Sequence, residues 1–275
     1  MHDDDKPAGR LLSRRELVAL FGASVAAAAV TSRTPEAGGP AFNAAPQLAA
    51  PASPAAQDCI ALPQQTEGPY FVDERLMRSD IRLDPATGAT SRGVPLDLRL
   101  VISTVSGDGT CQARASAQVD IWHCDAAGLY SDVRDSGADT TGRMFLRGYQ
   151  MTDAEGRVRF TTIYPGWYAG RAVHIHFKVR TPGTGGAIDE FTSQLYFDEA
   201  LTDRVHAAAP YLDKRGQRLL NSRDMIFREG GPKLMLPVVE SGDGYGATFR
   251  IAMRPGEPAA PGPPSGRGFG RGRRG

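Results

Sequence analysis

The chain has little of several things. It has 3 cysteines in 275 residues, no Cys-x-x-Cys pair and a formal net charge of only +1. The missing Cys-x-x-Cys pairs exclude a cysteine-rich zinc site. The near-neutral balance removes the electrostatic case for a nucleic-acid partner. There is no Gly-x-Gly-x-x-Gly fingerprint, no phosphate-binding loop and no Gly-x-Ser-x-Gly nucleophile turn, so dinucleotide, NTP and serine-hydrolase chemistry lack their usual carriers. The longest apolar run, Leu17 to Val30, is broken by Gly22 and Ser24 and is too short for a comfortable membrane span.

That run follows Ser13, Arg14 and Arg15. A short apolar stretch behind paired arginines predicts a twin-arginine-type export signal over residues 1–32. The protein is therefore expected in the periplasm or outside the cell, with no stable membrane association once the signal is removed. An Ala/Pro-rich linker over 33–57 and a Gly/Arg/Pro-rich tail over 255–275 show no hydrophobic period and are expected to be disordered. The folded domain is expected over 58–254.

Inside it, short alternating runs are separated by Gly, Pro and Asp clusters. They are Leu96–Ser103, Ala117–Trp122, Phe145–Thr152, Arg157–Ile163, Phe191–Phe197 and Ala247–Met253. The pattern predicts an all-β sandwich of mostly antiparallel strands. One helix is expected over Asp198–Ala209, with acidic residues in its first turn. In an oxidising compartment two cysteines can bridge. Cys59 and Cys111 both sit in loop-like sequence and are the expected pair, while Cys124 ends a strand and equally suits a buried apolar position.

The most informative stretch is Arg171–Val179, RAVHIHFKV. A strand sends successive side chains to opposite faces. Val173, Ile175, Phe177 and Val179 make an apolar face, and His174, His176 and Lys178 point the other way. Two readings are open for this stretch alone: a polar face in water, or two neutral imidazoles sharing one transition metal. Two nearby segments carry further donors. DIWHCDAAGLYSD holds His123, Asp125 and Tyr130, and IYPGWYAGR holds Tyr164, Trp167, Tyr168 and Arg171. A phenol needs a strongly Lewis-acidic ion to lose its proton from a pKa near 10. Its ordinary role is a ring packed at a sandwich rim with its hydroxyl in water.

In order, the motifs TEGPY, WHCDAAGLYS, PGWY, an arginine, HIHF and SQLYF run from about Gln65 to Phe197. This arrangement resembles the intradiol ring-cleavage dioxygenases, a group that includes catechol and protocatechuate dioxygenases and exported relatives. The resemblance implies one non-haem Fe(III) per chain, held by Tyr130, Tyr168, His174 and His176. It implies a catechol-type substrate and O2, ring cleavage to a cis,cis-muconate-type diacid, and displacement of Tyr168 as substrate binds. Arg171 matches the family arginine that stabilises the electron-rich ring, and Gln194 matches a pocket residue that orients intermediates. Tyr70, Tyr164 and Trp167 are expected to contact substrate or line its pocket. His123 is expected to be structural and His206 solvated. Arg171-Ala172-Val173 stands where the family carries Arg-Pro-Ala, the loop from Tyr168 to His174 is shorter than in protocatechuate-type members, and no helical dimerisation segment precedes the sandwich. A homo-oligomer stays open. The competing reading is a non-catalytic secreted β-sandwich binding module whose His-x-His is incidental or binds copper or zinc.

Overall fold

Strand β1, Pro95–Val105, buries every second side chain. Leu96, Leu98, Leu100 and Ile102 are fully buried, as the alternation in the sequence requires. A computed structural model describes residues 59–135, 138–254 and 256. The expected signal, the linker and all of the tail but Gly256 lie outside the described residues. Ten further strands follow β1 in chain order. They are β2 Cys111–Ala113, β3 Gln118–Trp122, β4 Arg134–Asp135, β5 Ala138–Asp139, β6 Arg147–Met151, β7 Arg157–Ile163, β8 His174–Pro182, β9 Ile188–Tyr196, β10 Val238–Ser241 and β11 Gly244–Met253. The helices are α1, Glu199–His206, and the single turn α2, Met225–Arg228.

Two sheets make the sandwich. One has the order β10-β11-β1-β2 with β7 also on β1, and the other the order β6-β3-β8-β9. All pairings are antiparallel except β1 with β11. The inner faces supply the core: Leu98, Leu100, Phe160 and Ile251 from one sheet meet Val119, Ile121, Ile175 and Phe177 from the other. The all-β sandwich expected from the short alternating runs is the fold observed.

Several boundaries differ from the expectation. The run expected over Phe145–Thr152 starts pairing only at Arg147, because Leu146 adopts a positive φ of 53° that no strand continues through. The histidine strand starts at His174, three residues after Arg171. The helix begins one residue later than expected, with the Asp198 carboxylate accepting from the Leu201 amide at 2.8 Å as its N-cap. Cys59 and Cys111 are joined by a disulfide, and Cys124 is free and buried. Strand β10 and α2 have no counterpart in the sequence reading. No helix among the described residues is long and apolar enough to cross a membrane.

The four-stranded sheet is buried on both faces. Its outer face carries His174, His176 and Lys178 from β8, Trp122 and Asp120 from β3, and Gln194 and Tyr196 from β9. The segment from Gln65 to Phe71 lies over this face as a strap. The Gln65 amide donates to Thr192 O at 2.9 Å, and Gln194 Nε2 donates to Thr66 O at 3.0 Å. Phe71 packs edge-on against Trp122, with ring centroids 4.8 Å apart. Gly68 has φ +74°, and a Cβ added there would stand 3.4 Å from His176 Cε1. The strap passes so close because that residue has no side chain. Lys178 pairs with Glu67 of the strap and with Glu190 of β9 at 3.1 Å. The polar face is therefore shielded, and the reading that left the histidines in water is excluded: they are 2% and 1% exposed.

Candidate functional site

His174 and His176 enter the site two residues apart on β8, and their partners are set by register. His174 stands opposite Tyr196, while His176 lies between Gln194 on one side and Trp122 on the other. The Trp122 ring stacks on the His176 imidazole at 4.8 Å with planes 5° apart. His174 Nδ1 is 2.6 Å from the Ala172 carbonyl oxygen. A carbonyl only accepts, so Nδ1 carries the proton and Nε2 presents its lone pair. Burial drives both imidazoles well below their usual pKa, so both are neutral.

Three other polar atoms converge on that lone pair. His176 Nε2 is 2.9 Å away, and the hydroxyls of Tyr130 and Tyr168 are each 3.4 Å away. Tyr130 comes from the loop after β3, where Thr140 Oγ1 donates to its carbonyl at 2.6 Å. Tyr168 comes from the segment between β7 and β8. Burial raises Tyr130 well above the ordinary phenol value and pushes Tyr168 up to about 12. With the chain's own groups alone, both phenols stay protonated.

A metal ion fits this donor set. Two ligands each about 2.1 Å from one ion stand about 3.0 Å apart at a right angle and about 3.4 Å apart at the tetrahedral angle. The observed separations of 2.9 and 3.4 Å fall on those edges. His176 Nδ1 is buried with no hydrogen-bond partner among the described residues, so no neighbour fixes its proton on the far nitrogen. Among the described residues no group of three or more His, Cys, Asp or Glu side chains is placed to hold an ion; the set works only with the two phenols counted.

Arg171 lies beside the donors and is itself clamped. Its Nε donates to Asp224 Oδ2 at 3.0 Å, and its Nη2 donates to Gln194 Oε1 at 2.5 Å and to the Tyr196 hydroxyl at 3.4 Å. Burial opposes its charge, but the Tyr168 phenol and the Asp224 carboxylate outweigh that and raise its pKa. Asp224 is 1% exposed, also accepts the Ala172 amide at 2.8 Å, and caps α2 through its other oxygen. A buried Arg–Asp pair beside two neutral phenols fixes a positive charge in a region of low polarity.

The remaining expected residues separate into two groups. Tyr70 lies in the strap and stacks on Tyr130, with centroids 4.5 Å apart and planes 21° apart. It joins Tyr130 and Tyr168 in lining a cavity of about 340 Å³. Gln194 is fully buried between the strap and Arg171. Tyr164 and Trp167 do not line that cavity. The expectation for Tyr164 is corrected: it is fully buried in the core against Phe197, and its hydroxyl bonds Thr202 of α1 at 2.7 Å. Trp167 packs half-buried against the core, under Lys214 at 4.7 Å. His206 is not solvated either. It stacks on Tyr211 at 4.9 Å and is 3.0 Å from Pro165 O. His123 bridges the sheets through Thr162 at 2.7 Å and is held neutral, its pKa pushed down to about 4 by burial.

Three contributors escaped the sequence reading. Asp224 belongs to no motif of the sequence and lies 53 residues from Arg171, the side chain it holds. Arg147 of β6 is buried and joins strap to loop, donating to Tyr70 O at 3.3 Å and to Ser131 Oγ at 2.7 Å. Lys214 lines the cavity from a turn with no motif of its own.

Comparison with known proteins identifies what the chain is similar to. A family model described as a dioxygenase matches residues 66–235. The beta chain of protocatechuate 3,4-dioxygenase from Burkholderia cepacia is 31% identical over 186 residues, 65% of this chain and 73% of that one. Chlorocatechol 1,2-dioxygenase from Pseudomonas putida is 29% identical over 150 residues, 48% of this chain and 52% of that one. The chain thus spans between about half and three quarters of the length of these curated relatives. Among solved structures, an intradiol ring-cleavage dioxygenase from Tetranychus urticae superposes with a TM-score of 0.61 at 29% identity, covering 72% of this chain and 96% of that one.

Proposed function

The chain belongs to the intradiol ring-cleavage dioxygenases, and from that premise we propose that it cleaves a catechol-type ring between its two hydroxyl-bearing carbons with O2. The observation that carries the reading is the convergence of Tyr130, Tyr168 and His176 on His174 Nε2 at 3.4, 3.4 and 2.9 Å in a buried site. Tyr130, Tyr168, His174 and His176 would hold one non-haem Fe(III). Bound there, ferric iron supplies the Lewis acidity that ionises phenols and catechols and draws electron density from the ring. The atom balance needs no external reductant. One C–C bond and the O–O bond break, and both oxygen atoms enter the diacid product, a cis,cis-muconate.

The chain's own groups have definite parts in this. The cavity bounded by Tyr70, Tyr130 and Tyr168 takes the ring. Tyr168 is the less buried of the two phenols and, once ionised by a bound ion, would yield its position and accept a substrate proton. Arg171, fixed by Asp224, holds a positive charge where the ring becomes electron-rich. Gln194 keeps Arg171 in place and is itself tied to the strap. The strap and Trp122 exclude water from the histidines. The disulfide between Cys59 and Cys111 supports a working location outside the reducing cytoplasm, as the arginine-flanked apolar run in the sequence suggests.

The test is oxygen uptake by iron-loaded protein given catechol. One O2 consumed per catechol, with label from 18O2 in both carboxyls of the product, is the expected result. A protein that binds iron, shows a visible tyrosinate-to-iron absorption band and still consumes no O2 with any catechol would overturn the reading.

A further inference from the structure

We propose that Lys214 is a specificity-determining residue that selects catechols carrying an anionic ring substituent, a carboxylate in the first place. The inference rests on the ring-cleavage reading above and names the substrate class of that same site.

The cavity that opens on Tyr130 and Tyr168 has a mostly uncharged wall. Tyr70, Leu129 and Val133 line it, and among the described residues lining it Lys214 supplies the one charge. Lys214 forms no ion pair among the described residues. Its Nζ donates to Ala127 O at 2.5 Å and sits 4.7 Å from the centre of the Trp167 ring. An ammonium has three hydrogens. The carbonyl takes one, the ring face accommodates the charge, and donors remain for a ligand in the cavity. Asp125, in the turn that carries Ala127, feels the lysine charge, and its Oδ1 accepts the Ala127 and Leu129 amides at 2.9 Å.

The position of the ammonium is built rather than incidental. Lys214 closes the turn Tyr211–Asp213, donating its amide to Tyr211 O at 3.1 Å. Tyr211 is buried, with its hydroxyl donating to Tyr164 O at 2.7 Å. On the other side, Gly128 has φ +83°, and a Cβ there would stand 2.7 Å from Lys214 Nζ and 2.1 Å from Trp167 O. Only glycine lets the lysine and the tryptophan segment close on this turn. A half-buried cation with open donors, lining a cavity of about 340 Å³, is complementary to an anion on a ring bound there.

The experiment compares kcat/KM for catechol, 3,4-dihydroxybenzoate and its neutral amide in the iron-loaded protein, then in Lys214→Gln, Lys214→Arg and Lys214→Glu. The wild-type protein should favour the carboxylate over the amide at least about tenfold, a preference that needs no variant to read. The carboxylate-to-catechol ratio should fall about tenfold or more in Lys214→Gln, fall further in Lys214→Glu, and survive in Lys214→Arg. Equal use of carboxylate and amide by the wild-type protein, or ratios that move together in Gln, Glu and Arg, would overturn the assignment while leaving ring cleavage intact. Failure of all three compounds to react would remove the ring-cleavage reading, and this inference with it.

Discussion

The two faces of strand β8 are equally buried by different means. Ile175 and Phe177 on the inner face are fully buried, and His174 and His176 on the outer face are 2% and 1% exposed. The inner face is covered by a second sheet, through contacts that need only volume and apolarity. The outer face is covered by a strap some hundred residues away in sequence, through directed bonds such as Gln194 to Thr66. Hydrophobic burial makes the strand stable, and polar burial makes it reactive. An imidazole kept neutral and dry by neighbours is a metal donor, whereas the same imidazole in water is a surface residue.

Substitutions on the two faces should therefore fail in different currencies. The largest effect belongs to the outer face. His176→Ala should lose bound iron and with it more than about a hundredfold of activity, while its melting temperature as the metal-free protein stays within a few degrees of the wild-type apo-protein. Metal analysis beside calorimetry checks this, and unfolding of the apo-variant would erase the contrast between the faces. On the inner face, Phe177→Ala should cost about 3–5 kcal/mol of stability in urea titration. Below its unfolding midpoint it should still bind iron.

A third change addresses the strap itself. Gly68→Ala adds a methyl 3.4 Å from His176 Cε1 at a positive φ, and should cost about 1–2 kcal/mol. Unlike Phe177→Ala, it should also weaken iron retention during dialysis against a chelator. Iron retention equal to wild type would mean that the strap only shields the site.

The smallest expected effect is a pH dependence at Asp120, also on the outer face. Burial pushes its carboxyl up to about 6, against the pull of Arg180 at 3.4 Å. The native state then binds more protons than the unfolded chain between about pH 4 and 6, so stability from this group is present below about pH 4 and is lost as pH rises to 6. Asp120→Asn should flatten that decline by about 1–2 kcal/mol in denaturant titrations across the window. An unchanged slope would assign the decline to other groups.

The legibility of the molecule follows the range of its interactions. Alternation in Leu96–Ser103 and Arg157–Ile163 is a two-residue pattern, so the strands, and from their number and spacing the sandwich, could be read directly. The His-x-His pair was legible for the same reason. The two tyrosines, the arginine and the glutamine were legible as members of a known motif order, and the residues alone left each of them a rim or surface alternative. Tyr164 misled because it neighbours Tyr168 in sequence while the chain turns its ring into the core. His206 misled because a helix in isolation shows no partner such as Tyr211.

The sequence by itself determined the strands, their two-faced character and which residue types could bind a metal, since each depends on side-chain chemistry repeated over a few positions. Only the tertiary structure decided that the polar face is dry, that Asp224 reaches Arg171 across 53 residues and Gln194 reaches Thr66 across 128, and that Lys214 turns its charge into the same cavity. Those contacts join segments with no shared period. They form because packing two sheets and a strap closes the distance, and no local pattern in the chain records it.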